Sequence, residues 1–172
     1  MQRRSAVKNI ALSLGSAIVL PAWTKAWSSE TVKKSILLMN TSQEILLAEI
    51  SETIIPKTDT LGAKDLKVHL FTSKMVADCY DVKAQETFKK GLELVNEQAN
   101  KEYSKNFVDV DATQKLTILN KMAKSDNPTE KGFVGLVKNL TIQGYLSSEY
   151  VMTNLRKFEF APARYHGCVP VK

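Results

Sequence analysis

His69, His166, Cys79 and Cys168 make up the chain's whole complement of histidine and cysteine, the residue types best suited to hold a metal or act as a nucleophile. The histidines stand about a hundred positions apart, and no Cys-x-x-Cys, His-Glu-x-x-His or acidic calcium loop accompanies them. His69 with Asp65 or Asp78 is one conceivable ligand group and His166 with Cys168 another. Neither supplies the four ligands of a structural zinc site, and a lone histidine near a helix start is more often a capping or surface residue. No Gly-x-Gly-x-x-Gly, Gly-x-Ser-x-Gly or Walker-type loop is present, so no nucleotide or flavin fold has a place here. The expectation is a chain with no catalytic, metal or cofactor site of its own.

The elements that would carry these residues are helical. Thr41 with Glu44 reads as a capping box, and Leu46, Leu47, Ile50 and Ile54 follow on one face until Pro56 stops the turn. Leu70 to Tyr80 places Phe71, Met75 and Cys79 at four-residue spacing, which makes Cys79 part of an apolar stripe, where a buried free thiol is ordinary. Ala84, Phe88, Leu92, Val95, Ala99 and Tyr103 mark the longest helix, with Gly91 costing it up to ~1 kcal/mol relative to alanine. Asp111 with Gln114 opens another, striped by Leu116, Leu119 and Ala123. Pro128 suits the first turn of the next, which shows Phe133, Leu136, Val137 and Leu140, with Gly144 placed as its C-terminal cap. A short helix from Ser147 or Ser148 to about Leu155 completes an all-α bundle of about six helices, and residues from Arg156 to Lys172 form an extended tail.

The N-terminus reads as an export leader. Arg3, Arg4 and Lys8 precede an apolar run from Ile10 to Ala22, and small residues near Ala26 and Ser28 fit cleavage. That run, interrupted by Ser13, Gly15 and Ser16, falls short of the roughly 20 apolar residues of a membrane span. The paired arginines point to twin-arginine export, with general secretion the alternative because Ala6 and Val7 stand where bulkier residues are commoner. The organisation expected is a signal peptide over 1–28, a polar tether over 29–40 and one helical domain over 41–172, in the periplasm. The formal charge of +6 dissolves under this reading. Arg3, Arg4, Lys8 and Lys25 precede position 28 and no acid does, leaving twenty bases against eighteen acids. A nucleic-acid partner loses its electrostatic support.

Two blocks of sequence carry a resemblance. Thr53-Ile54-Ile55-Pro56-Lys57-Thr58-Asp59-Thr60-Leu61-Gly62-Ala63, with Met75-Val76-Ala77-Asp78-Cys79-Tyr80, is similar to the gluconate 2-dehydrogenase subunit 3 family. So are Leu140-Thr141-Ile142-Gln143-Gly144-Tyr145-Leu146-Ser147-Ser148-Glu149 and Arg164-Tyr165-His166-Gly167-Cys168-Val169-Pro170. The resemblance implies a small, non-catalytic subunit of an exported dehydrogenase complex. It implies a large partner subunit of the glucose-methanol-choline type, bearing FAD and oxidising a sugar, polyol or sugar acid, and a cytochrome c or the quinone pool as electron acceptor. It further implies that the small subunit escorts the flavoprotein through the twin-arginine translocase, and that the complex can bring it to the membrane.

For the surface that meets such a partner, the tail offers Arg156, Phe158, Phe160, Arg164, Tyr165 and Cys168. Aromatic and arginine side chains are those that most often anchor interfaces. The competing reading is that Phe158 and Phe160 lap the tail onto the bundle. The Thr58 to Ala63 loop has no evident core role, and Asp59 is expected to cap a following helix. Cys79 and Cys168 have three open states: two free thiols, a bridge to each other, or a bridge from Cys168 to another chain. The function of a different class is a freestanding exported helical protein that holds a ligand or metal between its helices.

Overall fold

The computed structural model describes residues 39–159. Among these there is no strand: the chain forms five α-helices and a closing π-helical turn, six helical segments in all, with one short 3-10 turn between the third and fourth α-helices. The helices are α1 (Thr41–Ile54), α2 (Val68–Cys79), α3 (Val82–Tyr103), α4 (Ala112–Ala123) and α5 (Pro128–Leu146). The 3-10 turn is Phe107–Asp109 and the π turn Val151–Leu155. No described helix is long and apolar enough to cross a membrane.

Local signals set most of the boundaries. Asn127 accepts the Thr129 N–H at 3.0 Å and Pro128 follows at the first helical position, where its missing N–H costs nothing. Asp111 and Gln114 form the expected capping box on α4. On α1 the cap sits one residue earlier than the sequence pattern suggests: Asn40 is the N-cap and Gln43 Oε1 accepts its N–H at 3.1 Å, so Thr41 is already helical. Helix α2 begins at Val68 rather than Leu70, and Lys67 before it has φ 53°, a left-handed conformation that a side chain disfavours.

Helix α5 is the central element, packed against α2, α3 and α4, while α1 lies against α2, α4 and α5. The core joins Leu46, Leu47 and Ile50 of α1 to Phe88, Leu92, Val95 and Ala99 of α3 and to Phe133, Val137 and Leu140 of α5. At ~1.5–3 kcal/mol for each fully buried large side chain, this face supplies the driving force for folding. Phe88 and Phe133 meet with ring centroids 5.7 Å apart at 50°. Phe107, which no helical period marks, is fully buried because the 3-10 turn folds it inward, with its N–H donating to Asn96 Oδ1 at 3.3 Å.

Three expectations about faces give way. The buried face of α2 is Val68, Thr72, Ser73 and Val76; Phe71 and Met75 are half-buried and Cys79 is exposed, with a free thiol at the helix end. The buried face of α4 is Ile118, Leu119 and Met122, and Leu116 is left exposed. Gly144 lies inside α5 rather than at its end, and a β-carbon there would sit 2.6 Å from the Phe71 ring and 2.9 Å from Val68. Each face was fixed by which neighbour came closest, a property that spacing alone does not carry.

Candidate functional site

The segment from Ile55 to Lys67, between α1 and α2, is an ordered loop built around one carboxylate. Glu52, in the last turn of α1, accepts the Lys57 N–H on Oε1 and the Lys64 N–H on Oε2, each at 2.8 Å. Both oxygens are therefore spent on orphan backbone donors, the role for which a charged acceptor is strongest. Gly62 makes room for this arrangement, since a β-carbon there would lie 2.5 Å from the carboxylate. The Ala63 N–H donates to Ile55 O and the Val68 N–H to Ala63 O, both at 3.0 Å. Ala63 itself is fully buried, so the loop does have a core role. Asp59 is exposed and caps no helix; the residue in the N-cap position of α2 is Lys67.

The second block of sequence closes on the first. Tyr145, on α5, donates its hydroxyl to Leu61 O at 3.0 Å across 84 positions of sequence. Gly144 beside it lets α5 approach α2 at Phe71 and Val68. Ser148 accepts the Val151 N–H at 3.4 Å and begins the π turn, where the Arg156 N–H reaches Val151 O at 2.9 Å. Thus the Ile-Ile-Pro and Gly-Tyr blocks form one end of the bundle.

Three cavities border this loop. The first, about 430 Å³, opens between α1 and α2 and is lined by Glu44, Ile45, Ala48, Lys64, Lys67, His69 and Leu70. The second, about 460 Å³, lies between the end of α1 and the start of α4, with Glu49, Glu52, Pro56, Lys57 and Lys115 among its walls. The third, about 390 Å³, includes Leu66, Ser148, Glu149 and Tyr150.

The electrostatics divide along the same line. Glu49 is shared by Lys115, 2.7 Å away and itself little exposed, and by Lys64. Burial by itself would raise the Glu49 carboxyl, but hydrogen bonds from Lys115 and Lys64, with their charges, hold it below the ordinary range. Burial pushes His69 the other way for a base, below its usual value; Glu44, 3.8 Å from Nε2, opposes this, and Lys67 and Lys64 reinforce it. His69 Nδ1 is buried with no hydrogen-bond partner, as are the hydroxyls of Thr72, Ser73 and Thr141.

The sequence-predicted residues fare unevenly. His69 faces Glu44, whereas Asp65 pairs with Lys57 at 3.1 Å, so the pairing of His69 with Asp65 is not made. Among the described residues no group of three metal-ligating side chains converges. Arg156 and Phe158 are exposed, Phe158 by 54%. Arg3, Arg4, Lys8, Phe160, Arg164, Tyr165, His166 and Cys168 lie outside the described residues. What sequence reasoning missed is Glu52 and Lys67. A glutamate at a helix end followed by a Pro-x-Thr loop is the signal for the first; nothing in the sequence marks the left-handed backbone of the second.

The family model described as gluconate 2-dehydrogenase subunit 3 matches residues 41–167, from the first residue of α1 through both sequence blocks that meet at the Tyr145–Leu61 hydrogen bond. No curated protein and no solved structure matches the chain.

Proposed function

The chain belongs to the gluconate 2-dehydrogenase subunit 3 family, and from that membership we propose that it is a non-catalytic accessory subunit of an exported, FAD-dependent dehydrogenase of a sugar, polyol or sugar acid. The observation that carries this reading is the family match across the helical body, 41–167. The large subunit supplies the flavin, and this chain supplies a rigid helical surface that binds the flavoprotein while it folds. The Arg3-Arg4 leader then takes both chains through the twin-arginine translocase to the periplasm, where a cytochrome c subunit is a further candidate partner. An ordered loop end such as the one held by Glu52 and Tyr145 suits this role, because a preorganised surface loses little conformational freedom when it binds.

The test is co-expression with the flavoprotein, comparing the natural leader with one in which Arg3→Lys and Arg4→Lys are combined. Flavoprotein activity in the periplasm should be lost with the altered leader while the cytoplasmic pool remains folded. Active flavoprotein reaching the periplasm regardless would sink the escort role.

A further inference from the structure

We propose that Glu49 is an acid-sensitive latch: its ionised carboxylate holds the first two turns of α4, residues 112–117, against α1, and protonation frees them and opens the cavity between the two helices. The device stands apart from the subunit reading. Packing anchors those turns poorly, since no residue between Val110 and Ile118 is buried. Leu116, the one large apolar side chain among them, is 49% exposed and lines that cavity of about 460 Å³ together with Thr53 and Pro56. Among the described residues, the bond from Lys115 Nζ to Glu49 Oε2, at 2.7 Å, is what ties these turns to another helix by a hydrogen bond or ion pair.

The carboxylate is shared, with Lys64 of the loop on Oε1 and Lys115 on Oε2. Losing its charge affects the two cations differently. Lys64 is 52% exposed, so its ammonium passes to water, and the loop keeps both Glu52 bonds and the Tyr145 hydroxyl. Lys115 is 12% exposed and leans on Phe107, its nitrogen 5.9 Å from the ring centroid. An ammonium so little exposed is strongly destabilised without its anion, and one ring face offsets only part of that. Phe107 is fully buried and gives no way past it. The route to water is the cavity, and the weakly packed turns that carry Lys115 move with it. Lys115 and Lys64 hold the Glu49 carboxyl below the ordinary range against the push of burial, so the latch is shut at neutral pH and opens as pH falls below 4.5 through the lower folded value. Glu52 and Lys57 stand in the same cavity, while His69 of α2 faces Glu44 toward the start of α1. Asp111, whose carboxylate caps α4, is a second acid on these turns.

The test is hydrogen exchange of the full chain, compared as protection factors at pH 7 and pH 3. At the lower pH the amides of Lys115, Leu116 and Thr117 should lose protection at least tenfold while those of α3 keep theirs. Glu49→Gln should show the same loss already at pH 7, with Ala63 and Lys64 still protected. Lys115→Met has no cation to strand and should show no acid-dependent loss; it decides the matter if Glu49→Gln fails to fold. Asp111→Asn keeps a capping side chain and should respond to acid as the wild type does. Unchanged protection of the three amides in acidified wild type overturns the latch, and so does an equal loss across α3, which is global acid unfolding. An acid response that persists in Lys115→Met, or that disappears in Asp111→Asn, overturns it too.

Discussion

The backbone of Gly91 on α3 lies flat against the side chain of Phe133 on α5: a β-carbon at position 91 would stand 2.2 Å from Phe133 Cγ. A helix interior ordinarily gains up to ~1 kcal/mol when glycine becomes alanine. Here the contact overrides propensity, because both residues are buried and the ring also packs on Phe88. Overpacking of this kind costs typically ~1–3 kcal/mol. Gly91→Ala is therefore expected to lower stability by about 1–2 kcal/mol in urea unfolding, with an unchanged slope, and Gly91→Ala with Phe133→Leu should recover part of the loss.

The loop end of the bundle should loosen when either of its two ties is cut. Tyr145→Phe removes the hydroxyl that reaches Leu61 O and should cost about 1 kcal/mol. Glu52→Gln leaves one backbone N–H facing an amide NH₂ and should cost ~1–2 kcal/mol. Hydrogen exchange is the discriminating measurement: both variants should speed exchange at Ala63 and Lys64 while leaving α3 amides protected.

His69 predicts a pH dependence. Its folded pKa lies below 6.5 because burial disfavours the imidazolium, so below 6.5 the unfolded chain takes up a proton that the native state resists. Its contribution is fully present above about 6.5 and declines as pH falls through the lower folded value. Urea midpoints compared between pH 7.5 and 5.5 should drop in the wild type and drop less in His69→Gln; equal drops in the two would exclude His69 as the source.

Glu49 gives a second, separate window. Its folded pKa lies below 4.5, against the push of burial, since Lys115 and Lys64 hold the carboxylate ionised. That stability is complete above 4.5 and is lost as pH falls through the folded value. Glu49→Gln should flatten the acid limb below pH 4.5 and lower stability at pH 7, because it leaves the little-exposed Lys115 ammonium without its anion.

Cys79 provides the simplest check on the face of α2. Exposed at the helix end, its thiol should be labelled by a maleimide in the native protein without denaturant. Protection until denaturant is added would restore the buried stripe that the four-residue spacing suggests.

Much of this was legible in the chain itself. The capping pair Asp111 and Gln114, Pro128 at a first turn, and the Phe88, Leu92, Val95 and Ala99 stripe all lie where their spacing puts them. The resemblance to the subunit 3 family was carried by two blocks that could be quoted residue by residue, and the family match covers both except Cys168, Val169 and Pro170. Errors fell where a face rather than a period was at issue. Cys79 and Leu116 fit an apolar repeat, yet a repeat has several faces, and only the neighbour that packs selects one.

By itself the sequence determined the helices, their order and most of their ends, since caps, prolines and apolar periods act within a few residues of chain. Tertiary structure alone decided why Gly91 and Gly144 are glycines, why Glu52 is turned onto its own loop, and why Tyr145 reaches Leu61. It also placed Lys67 in a left-handed turn beside Ile45 and Leu70. The physical reason is range: a helix is specified by neighbours along the chain, whereas a close approach or a shared carboxylate is specified by two segments that meet only once the bundle has closed.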